Sequence, residues 1–144
     1  MRTAVVLAAA AVLLPGCRSS AKPLRVDGVP TASTAACRRW HDALPPDLGP
    51  GTKRRRVTPD DPHVAAYGDP PIVLRCGAPQ HGTYQAGDQT FDLNGVRWFP
   101  EERPGGVVVW SLPTSFVNVE ATVPAPWTGD RLGRLAGAVQ AANP

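Results

Sequence analysis

No apolar run in this chain is long enough to cross a bilayer. The longest, Ala4 to Leu14, has 11 residues, whereas a spanning helix needs about 20. There is no long tail of like charge: charged residues make up 19% and the formal net charge is only +3. That balance is globular and too mild to argue for nucleic acid. No Cys-x-x-C pair is present, which argues against a catalytic disulfide. Gly-x-Ser-x-Gly, the Gly-rich phosphate loops and His-x-x-x-His are missing as well. With 144 residues there is room for one domain, not for a dinucleotide fold plus a substrate domain or a barrel of about 250 residues. Proline (17) and glycine (14) are plentiful, yet they stay below the roughly 25–30% that marks low-complexity disorder.

What is present begins with an address. Arg2 precedes the apolar run, and the pair reads as an export signal over residues 1–16. Leu14-Pro15-Gly16-Cys17 resembles the lipobox of bacterial lipoproteins, with Pro15 where a small residue is usual. The resemblance implies a mature chain that starts at Cys17 and carries acyl chains on its sulfur. Two or more chains anchor stably, at about 0.8 kcal/mol per buried CH₂, where one does so marginally. The competing readings are an uncleaved N-terminal anchor and plain secretion, the latter with Cys17 discarded or left as a thiol. Cysteine arithmetic weighs against it. The chain has three cysteines, an odd count for an oxidising compartment. Lipidating Cys17 leaves Cys37 and Cys76 as a pair. The expected location is therefore the outer face of the cell membrane. Residues 17–31, with little apolar patterning, are expected to be a flexible tether.

The body, residues 32–144, reads as α+β. Ser33 or Thr34 is expected to cap a helix bearing Ala36, Cys37, Trp40 and Leu44, ended by Pro45-Pro46. Lys53 to Val57 suggests a short strand, and Ile72, Leu74 and Cys76 alternate onto the apolar face of another. In Phe91-Asp92-Leu93-Asn94-Gly95-Val96-Arg97-Trp98, the Asn-Gly pair predicts a two-residue type I′ turn. That turn sets Leu93 opposite Val96, Phe91 opposite Trp98 and Asp92 opposite Arg97. The first four should share one apolar face. Residues 106–112 look like a strand covered on both faces, and 117–123 like a strand with one wet face. Leu132, Leu135, Ala136 and Val139 repeat at helical spacing. The sum is a mostly antiparallel sheet of four to five strands flanked by an N-terminal and a C-terminal helix. A Cys37–Cys76 bridge would staple the first helix to that sheet.

Several segments together resemble the domain of unknown function 3515 family, an uncharacterised actinobacterial envelope family. They are Cys37 before Leu44-Pro45, Arg54-Arg55, Gly68 to Gly77, Gly95-Val96-Arg97-Trp98 and Val119 to Pro124. Pro70-Pro71-Ile72-Val73-Leu74-Arg75-Cys76-Gly77 is the most specific piece, and Tyr67 stands where tryptophan is expected. The resemblance implies an exported or lipid-anchored protein and supplies no catalytic residue.

Little else carries chemistry. His41, His63 and His81, with Asp42, Asp60 and Asp61 nearby, lack metal-site spacing and read as solvated loop residues. Ser111, Thr114 and Ser115 have no neighbouring histidine. Glu101-Glu102 falls in a Pro/Gly-rich loop. No cofactor, metal site or catalytic group is expected. Lys53-Arg54-Arg55-Arg56 is the one concentrated charge: a contact for anionic headgroups or wall polymers, or a solvated edge strand that repels neighbours. Trp40, Trp98 and Trp110 should be core, and Trp127 partly exposed. The expectation is a non-enzymatic binding or scaffolding module, its partners the membrane and either envelope proteins or anionic wall polymers. The alternatives are a small envelope hydrolase with an unrecognised site and a secreted inhibitor that presents residues 100–106 as a rigid loop.

Overall fold

The computed structural model describes residues 22–80 and 82–144. The leader, Cys17 and His81 lie outside the described residues. In chain order the elements are β1 (Leu24–Arg25), α1 (Thr34–Asp42), β2 (Arg54–Arg55), β3 (Val57–Thr58), β4 (Val64–Tyr67) and β5 (Ile72–Cys76). They continue with β6 (Phe91–Leu93), β7 (Val96–Arg103), β8 (Val107–Ser111), β9 (Val119–Val123), a 3₁₀ helix (Gly129–Leu135) and α2 (Ala136–Ala142).

Seven strands form one sheet in the order β2-β4-β5-β9-β8-β7-β6, and every neighbouring pair in it is antiparallel. The class is the expected α+β, with more strands than expected. Leu74, Ala121 and Trp110 stand side by side across β5, β9 and β8 and point to one face. On that face α1 and α2 pack together. Trp40, Ile72, Leu74, Trp98, Leu135 and Val139 are buried there in one core. Burying a large apolar side chain of this kind stabilises by about 1.5–3 kcal/mol.

Cys37 of α1 and Cys76 of β5 are both fully buried. Their Sγ atoms are 2.10 Å apart and their Cα atoms 5.6 Å, a disulfide pair. Helix and sheet are thus stapled as the sequence suggested. Gly77, next to the staple, has φ +77°, and a Cβ there would lie 2.4 Å from the Ala32 carbonyl oxygen.

The hairpin also has the expected register, Phe91 opposite Trp98 and Leu93 opposite Val96, with Asn94 at φ 56° and Gly95 at φ 81°. Its apolar face is only half covered: Val96 and Trp98 are buried, whereas Phe91 remains 40% exposed. The 3₁₀ helix meets this hairpin at its turn, where Asn94 donates to the Gly133 carbonyl at 2.9 Å, and Phe91 is left edge-on to Trp110 with ring centroids 5.6 Å apart.

Other expectations are corrected. The flexible tether of residues 17–31 does not hold for its described part. Leu24 and Arg25 pair in parallel with Val57 and Thr58, the Leu24 and Val26 amides donate to Arg56 and Thr58 carbonyls, and Val26 is buried. Ser33 does not cap α1 through its side chain; the Thr34 hydroxyl donates to the Thr31 carbonyl instead. Val64–Tyr67 forms an unforeseen, wholly buried strand. Residues 99–103 are strand, paired with β8, so the loop expected at 100–106 shrinks and Glu101 and Glu102 sit on β7. Pro100 is tolerated because β6 has ended before it, so one side of β7 has no ladder bond to lose. Val107, Val108 and Val109 of β8 are only partly covered. The C-terminal helical stripe divides into a 3₁₀ turn and a short α-helix, with Leu132, Leu135 and Val139 buried as expected.

Candidate functional site

The charged run Lys53-Arg54-Arg55-Arg56 lies at the β2 edge of the sheet. Because neighbouring residues on a strand point to opposite faces, the run does not form one stripe. Arg54 stands opposite Tyr67 and Arg55 opposite Ala66, on different faces. Even so, a cleft of about 500 Å³ is bordered by Arg54, Arg55 and Arg56 together with His41, Pro23 and Asp60. Lys53 is outside it, beside Asp47, Gly49 and Arg134 in a shallower depression. Three of the four cations singled out from sequence therefore converge.

His41 comes from α1, 13 residues before Arg54, and its Nε2 is 2.8 Å from an Arg54 Nη2. The guanidinium always donates, so Nε2 is the acceptor and the ring proton sits on Nδ1. Partial burial foremost, and then the Arg54 charge, hold the His41 pKa below its usual value. At neutral pH the imidazole is uncharged. It steadies Arg54 without cancelling its charge, and its free lone pair is occupied rather than offered to a substrate. Arg55 donates from Nη1 to the Gly68 carbonyl at 3.1 Å and lies 3.8 Å from the exposed Asp69 carboxylate. A pair that open to water contributes little, so the Arg55 charge also stays available. Asp60 is the one carboxylate among the bordering residues. Planar guanidinium forks around such an opening match the oxygens of a phosphate or carboxylate.

His41 and His63 are not the solvated loop residues expected from sequence. His63 is buried, and its Nδ1 is 2.6 Å from Asp61 Oδ1. Its backbone N–H donates to the same oxygen at 2.8 Å. That backbone bond foremost, with the ring bond behind it, holds the Asp61 carboxyl below the usual carboxylate range. On the other side, His63 Nε2 is 3.4 Å from Thr34 Oγ1. The connection ties the start of β4 to the start of α1, close to the disulfide. Among the described residues, no three His, Cys, Asp or Glu side chains gather as metal ligands.

Two other concavities lack this charge. The larger, about 810 Å³, runs between the start of α1, residues 114–117 and the C-terminal residues 142–144. Phe116, 96% exposed, stands at its rim, and its one cation, Arg39, donates to the Ala141 carbonyl at 2.9 Å. The other lies over β6, β7 and β8 and is lined by Phe91, Phe99, Trp110 and Glu102. Trp40 and Trp98 are fully buried and Trp110 nearly so. Trp127 is partly exposed, with Arg131 stacked on its ring at 4.7 Å. Sequence reasoning found the arginines but missed His41 as their partner and the Asp61–His63–Thr34 connection. No local spacing links those residues.

The whole chain, residues 1–144, matches the family model described as Protein of unknown function (DUF3515). The chain belongs to that family. No curated protein and no solved structure matches it.

Proposed function

We propose that this DUF3515 protein is a lipid-anchored extracytoplasmic envelope protein. In this reading it is a non-enzymatic binding module whose ligand presents an anionic group to the Arg54–Arg55–Arg56 cleft. The observation that carries the binding reading is that Arg54, Arg55 and Arg56 all border one cleft, with His41 holding the Arg54 guanidinium. Export is supported by the Cys37–Cys76 pair, which belongs to an oxidising compartment, and by Leu14-Pro15-Gly16-Cys17 for the anchor. In this reading attachment falls to the acyl chains on Cys17; among the described residues no helix is long and apolar enough to cross a membrane.

The binding reading is tested by titrating the full chain with a short glycerol-phosphate polymer, at low and high salt. Binding that weakens with salt and is lost in Arg54→Gln/Arg56→Gln supports it. A variant that binds as well as the parent overturns it.

A second reading, a small envelope hydrolase, draws on one observation. Asp61, His63 and Thr34 are connected as carboxylate, imidazole and hydroxyl. With the His63 Nδ1–H donating to Asp61, Nε2 would accept the Thr34 proton once that hydroxyl turns from the Thr31 carbonyl. An active-site fluorophosphonate that labels Thr34 in the full chain, and fails to label His63→Gln, would favour this reading over the binding module. For the inhibitor reading the loop shrinks to residues 104–106, since 99–103 are committed to β7.

A further inference from the structure

The cleft and the N-terminal end of the described chain are the same place. Pro23 borders the cleft. Directly after it Leu24 is fixed, its amide donating to the Arg56 carbonyl at 2.9 Å, and β1 runs parallel to β3. Arg75 adds a hold from the sheet, donating from Nη2 to the Asp27 carbonyl at 3.0 Å. The described strap therefore begins beside the arginines. Cys17 precedes Pro23 by six residues, which span at most about 22 Å when fully extended. A Debye length at physiological salt is about 8 Å, so even a taut connection keeps the cleft within about three of them from the lipidated residue. Lys22, Arg25 and Arg56 are exposed along the same edge; the residues bordering the cleft bring one carboxylate, Asp60, with Asp69 beside Arg55 and Asp27 beside Arg25.

We infer that the Arg54–Arg55–Arg56 cleft faces the bilayer carrying the anchor and takes the phosphate of an anionic lipid headgroup. The inference rests on the proposed lipidation of Cys17 and names the ligand of the cleft described above. The acyl chains and the arginines then act as two signals on one surface: the first holds the protein at the membrane, and the second sets which face is turned to it. A distant wall polymer would have to compete with headgroups that the tether keeps at high local concentration. Near an anionic surface each arginine strengthens association about fivefold.

The test uses the full chain extracted from membranes and first weighed intact for acylation of Cys17. It is then reconstituted into phosphatidylcholine vesicles with or without phosphatidylglycerol. Arginines are labelled with a guanidine-specific dicarbonyl and read peptide by peptide. Arg54, Arg55 and Arg56 are expected to react about fivefold more slowly with phosphatidylglycerol present. Arg103, at the other end of the sheet, should be unchanged, and high salt should remove the protection. Equal rates in both vesicles would overturn the inference. Protection by dissolved glycerol phosphate without protection by phosphatidylglycerol would also overturn it, by assigning the cleft to a soluble phosphate. An unacylated Cys17 would be a failure of the anchor reading alone. The same chain mixed with phosphatidylglycerol vesicles would then uphold the headgroup site if protected and overturn it if not.

Discussion

Replacing both bridged cysteines, Cys37→Ala/Cys76→Ala, tests how much of the fold depends on holding α1 against β5. The two residues are 39 apart in sequence, and the chain-entropy estimate for closing such a loop is about 4 kcal/mol. The ordered body of about 120 residues should unfold with an entropy near 0.25 kcal/mol per kelvin, from about 2.1 cal/mol/K per residue. The expected fall in Tm is therefore about 15 °C. The structure argues against a smaller figure. Both sulfurs are fully buried beside Trp40 and Leu74, so their removal also leaves room in the core. Thermal unfolding followed by circular dichroism, parent against double variant, reads the shift directly. A fall of less than about 3 °C would refute the reasoning, because α1 would then be held by packing alone.

Gly77→Ala should cost more than about 2 kcal/mol in urea unfolding, since both its left-handed φ and the Ala32 carbonyl oppose a Cβ. Tyr67→Phe should cost about 1 kcal/mol, because the Pro45 carbonyl loses its buried donor. Burial pushes the Tyr67 phenol up to about 12, so its contribution to stability is complete below about pH 10 and lost as pH rises toward 12. Phenolate absorbance that appears together with unfolding, rather than before it, is the expected signature. His41 and Asp61 act at the acid side. Both pKa values are lowered in the fold, so the His41 contribution is full above about pH 6.5 and declines below it, while that of Asp61 declines only below about pH 4. Denaturant midpoints measured against pH should lose the first decline in His41→Gln and the second in Asp61→Asn.

Where the chemistry of the fold is local, it could be read from the chain. Asn94-Gly95 fixes the hairpin register because both residues must take positive φ. The alternating burial of Ile72–Cys76 and Val119–Val123 is visible as every second residue being apolar. The staple was legible because only two cysteines remain once Cys17 is set aside. Long-range pairing hid the rest. Val64-Ala65-Ala66-Tyr67 is buried on both faces between β2 and β5, so it shows no alternation, and its two alanines carry little strand preference. Leu24-Arg25 becomes a strand only because Val57-Thr58 is brought beside it. Its neighbour Val26 stands between Arg25 and Asp27 and belongs to no apolar repeat that would announce a strand. The arginine run announced charge but not geometry. Strand alternation and the arrival of His41 from α1 decide which cations share the cleft, and neither Lys53's exclusion nor Pro23's inclusion follows from spacing.

The most direct test of the whole account is the intact mass of the unreduced protein extracted from membranes, with thiol alkylation before and after reduction. The account expects a chain that begins at Cys17, heavier by its acyl groups, inert to alkylation until reduction exposes both Cys37 and Cys76. A chain that begins elsewhere without lipid, or one that alkylates at Cys37 or Cys76 before reduction, would contradict it.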